Sequence, residues 1–503
     1  MKNIVAACIL LAVTTACEKN ETKPVATSAS ASPGGKESAA PQAALAKDMP
    51  ATSTNAQAVE VYRVGVDLSE NAREDAAREQ FKKALALDPK FSSAMAMVGA
   101  TTPGPEGDKM IADALAQGSA LPEAEQVHMR LAQALHASDT AKAVEQGKKL
   151  TELLPGSWRS HSLYGVALNV AGRWEDATTA FKKALEVEPT AAVLYNNLGY
   201  LELQHGKVDD AVVHLKKYAE LLPKEPNAHD SLAEALLLGG KYDEAEAAFK
   251  KAIELDPKFV EPWSGVGFAH FYKGDWAGGY DAFAKFRDAA PNVSKKGPAF
   301  FSMAWAAAAQ GKTADALKAL DAWDVETAKT ADAEAGLWAA LTRSAIYVET
   351  GKIQDGVKLL GALADRIEKA DAPAPKKLRW NVYRNVALAT ASARLAKAPD
   401  AEKARAAVEE LVGKSDDAEL KGKAAYARGQ AALAKNDAKA AAEAFKGCQP
   451  FDDFCSWERM KAQEKSGDKA ASQQTREALQ KTHRREALGF FVWTKVAPPP
   501  AKP

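Results

Sequence analysis

The stretch GRWEDATTAFKKALEVEP, residues 172–189, returns as GKYDEAEAAFKKAIELDP at residues 240–257. Between and after these lie two looser copies, GKVDDAVVHLKKYAELLP at 206–223 and GDWAGGYDAFAKFRDAAP at 274–291. Their closing prolines, Pro189, Pro223, Pro257 and Pro291, recur at one constant interval. Eight residues before them stand Phe181, Leu215, Phe249 and Phe283, and 24 residues before them Gly165, Gly199, Ala233 and Gly267. Self-similarity at such a period means one small unit repeated and stacked. Alanine is abundant and β-branched residues are sparse, so each unit reads as helix. Proline stops a helix, and small residues let two helices cross closely. Large apolar residues fill the space between units, and the surface each unit leaves bare makes neighbours stack.

These residues resemble the tetratricopeptide repeat, two antiparallel helices in each unit of about 34 residues. Upstream, Gly65, Ala77, Phe81, Ala84 and Pro89 match in full. Residues 91–122 keep Val98-Gly99 but carry a Pro/Gly turn, Thr101 to Gly107, and residues 124–155 keep Ala143, Leu150 and Pro155. Downstream the match decays through Gly311/Ala316/Leu320 and Gly351/Gly356/Leu360, then recovers at Gly429/Ala441/Phe445. About twelve helix pairs are expected across 58–485. The expected fold is all-α, a right-handed helical solenoid. It divides into regular repeats at 58–293, degenerate repeats at 298–487 and a tail at 488–503.

The first residues carry a different signal. Met1-Lys2 is a short charged start, and Ile4 to Ala16 is apolar or small, the length of a signal-peptide core and too short to span a bilayer. It ends Thr14-Thr15-Ala16-Cys17, which resembles a bacterial lipobox, with Thr14 where leucine is usual. The resemblance implies a signal segment at 1–17 cut before the cysteine, lipid on Cys17 and anchorage facing the periplasm. Glu18 in place of aspartate favours the outer membrane by analogy. An ordinary secretory signal is the alternative. Residues 18–57 are rich in Ala, Ser, Thr and Pro, too poor in apolar groups to fold alone, and form a tether spanning roughly 35 Å r.m.s..

Several function classes are disfavoured. Acidic and basic residues balance at 66 each, and no basic run stands out, so a nucleic-acid partner is not expected. No P-loop, zinc-protease motif, nucleophile elbow or dinucleotide fingerprint occurs. His214 and His229 fall in different helices with no metal-ligand spacing, so neither a metal nor a cofactor is expected. The carboxylate pairs Asp209-Asp210, Asp416-Asp417 and Asp452-Asp453 lie at expected helix starts, where they cap. Of the aromatics Trp158, Trp263, Phe271, Tyr272, Trp276 and Phe283, most read as core. Gly489-Phe490-Phe491-Val492-Trp493 reads as a cap folded back on the last helix or as a sticky peptide for a partner, the cap being preferred. Cys448 and Cys455 bracket a short loop; a zinc pair would need two more ligands, so a disulfide is favoured, worth ~2.5 kcal/mol.

The tetratricopeptide resemblance also implies a concave groove lined by the first helix of each unit. The inward positions would be Asn196, Asn197 and Tyr200, then Asp230, Ser231 and Glu234, then Glu261, Ser264, Phe268 and Phe271. Asn197 stands where many members hold a bound peptide's backbone. The basic clamp of chaperone-tail receptors is absent, since Ser162, Val166, Asn227 and Ser231 occupy its positions. The expected function is a membrane-tethered scaffold that binds an extended segment of another protein, in envelope complex assembly. The alternative is a cell-wall enzyme or carbohydrate-binding protein built on a helical solenoid. Lipid on Cys17 has a direct test: palmitate labelling and membrane fractionation of wild type and Cys17→Ala. Label and membrane association are expected for wild type and lost in the variant; equal labelling rejects the anchor.

Overall fold

The computed structural model describes residues 49–497 apart from residues 72, 103, 331, 416, 450 and 451. The signal segment with Cys17, most of the tether and the residues 498–503 lie outside the described residues. The chain divides into two compact units, unit 1 ending at Pro223 and unit 2 beginning at Lys224.

Unit 1 contains α1 (Ala56–Glu70), α2 (Glu74–Leu87), α3 (Ser92–Ala100), α4 (Pro105–Gln117), α5 (Glu123–His136), α6 (Thr140–Leu153), α7 (Trp158–Val170), α8 (Trp174–Val187), α9 (Ala192–Gln204) and α10 (Val208–Leu221). Unit 2 contains α11 (Pro226–Leu238), α12 (Tyr242–Leu255), α13 (Pro262–Tyr272), α14 (Trp276–Ala289), α15 (Val293–Ala309), α16 (Thr313–Ala328), α17 (Ala333–Glu349) and α18 (Ile353–Lys369). It continues with α19 (Ala374–Arg394), α20 (Ala398–Val412), α21 (Ala418–Ala434), α22 (Ala438–Phe445), α23 (Asp453–Lys465), α24 (Lys469–Gln480) and a single closing helix, α25 (Ala487–Val496). Among the described residues these make twelve successive pairs and no strand.

In five of the pairs the same close approach recurs. The small residue of the first helix faces the large residue sixteen positions later in the second. A Cβ added to Gly65 would lie 2.6 Å from the Phe81 ring, one on Gly165 2.8 Å from Phe181, and one on Gly199 2.5 Å from Leu215. In unit 2 the same holds for Gly267 against Phe283 at 2.6 Å and Gly429 against Phe445 at 2.3 Å. The large partners are fully buried. The turn inside a pair repeats too. Gly172, Gly206, Gly240 and Gly274 all adopt φ between 72° and 81°, the left-handed conformation that glycine enters without a Cβ penalty. Ser138, Ala396 and Asn436 take the same conformation in pairs without that glycine. Stacking then merges the pairs, and in unit 1 one apolar core runs from Ala100 to Leu201.

Three boundaries differ from the sequence reading. Residues 52–57, placed in the tether, are already part of unit 1. Thr52 N–H donates to Glu125 Oε2 at 2.9 Å, and Asn55 Oδ1 accepts from the Gln57 N–H at 3.0 Å, capping α1. Composition alone does not reveal a partner 73 residues away. Between 293 and 298 there is continuous helix: α15 passes through Pro298 just beyond its first turn, where the missing N–H removes one helical hydrogen bond. The 488–503 tail is helical as far as Val496.

Gly199→Leu forces a branched side chain into the Leu215 contact and should destabilise the chain by about 1–3 kcal/mol. Lys207→Ala, at the exposed turn, should stay within about 0.5 kcal/mol. Thermal melts that coincide for the two variants would show that the crossing point has been misplaced.

Candidate functional site

In unit 2 the first helices of several pairs face a common occupant, the segment from Thr482 to Val496 of the same chain. Arg485 Nη1 donates to Asp230 Oδ1 and Oδ2 at 2.8 and 3.0 Å, and its Nε donates to Ser264 Oγ at 2.8 Å. Its Nη2 donates to the Glu261 carbonyl, and the guanidinium lies 4.9 Å from the Phe249 ring centre. Burial pushes the Asp230 carboxyl up to about 6, with Arg485 opposing and Glu234 adding to the push. Tyr272 donates to the Arg484 carbonyl at 3.0 Å, and its own burial holds its hydroxyl well above the usual range. Arg484 Nε donates in turn to Asp453 Oδ2 at 2.8 Å.

The helix that follows is seated by its aromatics. Phe490 lies 5.4 Å from Phe271, 5.2 Å from Tyr272 and 5.7 Å from Trp276, centroid to centroid. Phe491 meets Trp305 at 4.9 Å and Trp457 at 5.9 Å, and Trp493 meets Tyr272 at 5.1 Å. Gly489 is needed for closeness: a Cβ there would come 3.0 Å from Asp453 Oδ2. The segment also closes on the last pair, where Gln480 Nε2 donates to the Val496 carbonyl at 2.7 Å.

A buried charge cluster ties α17, α19 and α23 together. Arg394 Nη2 bonds Glu458 Oε1 at 2.6 Å and lies 3.4 Å from Glu349 Oε1, while Lys461 Nζ bonds Glu458 at 2.8 Å. Burial pushes the Glu458 carboxyl up, but the two cations outweigh it and leave the group below its usual value. Cys448 and Cys455 are joined as a disulfide with Cα atoms 6.5 Å apart, linking the end of α22 to the start of α23. Asp452 caps α23 by accepting from the Cys455 N–H at 2.9 Å, and Asp417 caps α21 through the Glu419 N–H at 2.8 Å. Among the described residues no group of His, Cys, Asp and Glu is placed to hold a metal, and no helix is long and apolar enough to cross a membrane.

Each unit has a cavity of about 230 Å³: in unit 1 it is walled by Tyr62, Val66, Met97, His128, Leu131 and Arg159 among others, in unit 2 by Trp305, Trp338, Tyr383 and Tyr426 among others. Arg159 of α7 reaches across to α1, pairing with Asp67 at 2.8 Å and Glu70 at 2.7 Å. Tyr218 of α10 donates to Asn71 Oδ1 at 3.0 Å. Burial alone pushes the His128 imidazole down to about 4.

The sequence-derived groove residues are thus placed unevenly, and none is an open anchor. Asn196, Asn197 and Tyr200 are buried in α9 of unit 1, the last at 9 % exposure. In unit 2 the structure brings Asp230, Glu234, Phe268 and Phe271 together, all buried, with Asp230 bound to Arg485 and both phenylalanines facing Phe490. The expected open groove at these four is therefore corrected to an occupied one. Nothing local in the sequence marks His483, Arg484 and Arg485 as its occupants. The aromatic run beside them is visible in sequence, but it packs on α13 and α15 as well as on the last pair.

Residues 165–226 and 196–258 match the tetratricopeptide repeat family. This stretch is built of tetratricopeptide repeats. Among solved structures, MamA from Desulfovibrio magneticus RS-1 is 20 % identical over 33 % of this chain and 94 % of its own, with a TM-score of 0.31. TTC0263, a tetratricopeptide protein of Thermus thermophilus, is 23 % identical over 44 % of this chain and 99 % of its own, TM-score 0.28. PilW, a type IV pilus biogenesis factor, is 18 % identical over 48 % and 98 %, TM-score 0.32. No curated protein sequence matches the chain.

The depressed His128 gives unit 1 a signed acid response. Above its ordinary value of 6.5 both folded and unfolded forms are neutral. As pH falls below that, the unfolded chain takes a proton that the folded one resists. Stability is lost progressively until about pH 4, by up to about 3 kcal/mol. His128→Leu removes this contribution, so between about pH 7.5 and about pH 5 its melting temperature should fall less than that of wild type. Parallel pH profiles would contradict the assignment.

Proposed function

We propose that this chain is a lipid-anchored scaffold of the bacterial envelope that holds a segment of another protein on the face formed by the first helices of its repeats. The tetratricopeptide repeats support protein binding as the mode of action. The observation that carries the reading furthest is the seat of residues 482–496. The first helices of unit 2 hold a peptide segment by an arginine fork on a buried carboxylate and by aromatic sockets. In unit 1 the corresponding helices border a cavity with apolar walls and charged rims. The enzyme alternative gains little. Of the carboxyls that burial raises in unit 2, Asp230, Asp453 and Glu486 lie under or within this segment, and Glu349, on the wall of a cavity of about 230 Å³, is held by Arg394. The anchor and the periplasmic location rest on the Thr14–Cys17 motif.

A photo-crosslinking residue in place of Leu163, on the wall of the unit 1 cavity, is expected to give a discrete adduct with an envelope protein. The same residue in place of Val213, 66 % exposed, should not. Equal adducts from both sites, or none from either, would sink the scaffold reading.

A further inference from the structure

The segment held by unit 2 is distant in sequence from the helices that hold it. Arg485 is 255 residues from Asp230, and Arg484 is 212 from Tyr272. It hangs on a short non-helical connection, Lys481–Glu486, after the last pair is complete. The crossing contacts that define the pairs do not involve it: Gly267 meets Phe283 and Gly429 meets Phe445 without a residue of α25. Leaving the surface would bare aromatic side chains and strand Asp230. A buried carboxylate stripped of its cation is strongly unfavourable. The surface therefore favours exchange of one occupant for another over an empty state.

We propose that this surface is a docking site for a helix of a partner protein, and that residues 484–496 are the resident occupant which that helix displaces. The proposal rests on the scaffold reading above and names the partner's chemistry. Asp230, Ser264 and the Glu261 carbonyl converge on one planar fork, which selects arginine over lysine. The sockets at Phe271 and Trp305 then require adjacent aromatic side chains beginning five residues after that arginine, as Phe490 and Phe491 do here. The partner is thus an apolar helix led by arginine, with an aromatic pair just over one turn into it. A ligand must beat an occupant that is covalently attached, so its apparent affinity for the resting chain is reduced by the fraction of time the seat is vacant.

The test uses full-length protein and a fluorescent synthetic peptide of residues 481–497, read by anisotropy. The peptide is expected to bind the Arg485→Ala/Phe490→Ala chain at least tenfold more tightly than wild type. Adding Asp230→Asn to that chain should erase the gain, and a peptide carrying the two alanines should not bind. Should the double variant lose helical circular dichroism, Arg485→Lys serves in its place, with a smaller gain in the same direction. Equal binding to wild type and a folded variant, or none to the variant, overturns the proposal. Dimers that exchange α25 between labelled copies would assign the seat to a second copy and overturn the partner assignment too. Failure here together with an intact adduct from residue 163 removes only this inference; failure of both removes the scaffold reading as well.

Discussion

The structure depends on a single steric fact, that two helices approach until a glycine or alanine on one touches a phenylalanine or leucine ring or branch on the other. Gly165 on Phe181, Gly199 on Leu215 and Gly267 on Phe283 fix the distance and angle within their pairs. Once that is fixed, the turn between the helices has little choice. It must reverse the chain in two or three residues, which is why Gly172, Gly206 and Gly240 share one left-handed conformation. The pair is then a rigid object with a predetermined bare face, and stacking follows from covering it.

What stacking leaves uncovered is the face made by the first helices, and the two units treat it differently. Unit 1 braces it with Arg159 against Asp67 and Glu70 and keeps a cavity. Unit 2 fills it. Burying Phe490 and Phe491 contributes about 2–3 kcal/mol each before the loss of chain entropy, and the half-buried Trp493 contributes less. The ion pairs add less, because taking charges from water offsets much of their attraction. Their effect is register: Asp230 and Asp453 accept Arg485 and Arg484 in one arrangement, and Gly489 lets the helix settle at that depth.

Local chemistry is legible in the sequence and distant contact is not. The repeat period specifies the pairs, the crossing glycines and the stopping prolines, because all of these act within one unit. Asp417 and Asp452 read as caps for the same reason, and the Cys448–Cys455 link spans a sequence separation of only 7. The inward positions of α11 and α13 are also legible as inward. Their occupant is not, since the spacing of Asp230 and Phe271 carries no information about Arg485 and Phe490. The same blindness puts residues 52–57 in the tether, where Thr52 and its acceptor Glu125 look unrelated. The pairing of Arg394 with Glu458 has no signature, because the two sit on different helices, whereas Lys461 meets Glu458 from three positions along the same helix.

The long separation between Asp230 and Arg485 has a consequence for how the chain comes into being. A solenoid pair can form as soon as its own two helices have emerged, since its contacts are local. The seat at Asp230, Phe271 and Trp305 is finished as a shape once those pairs are made, while its occupant is still untranslated, Arg485 lying 255 residues beyond Asp230. Throughout that interval the growing chain displays an aromatic, acid-bearing surface to whatever surrounds it. The order of synthesis thus creates a period of open access that the completed molecule closes, and any factor that accompanies the nascent chain meets a surface quite unlike that of the mature one.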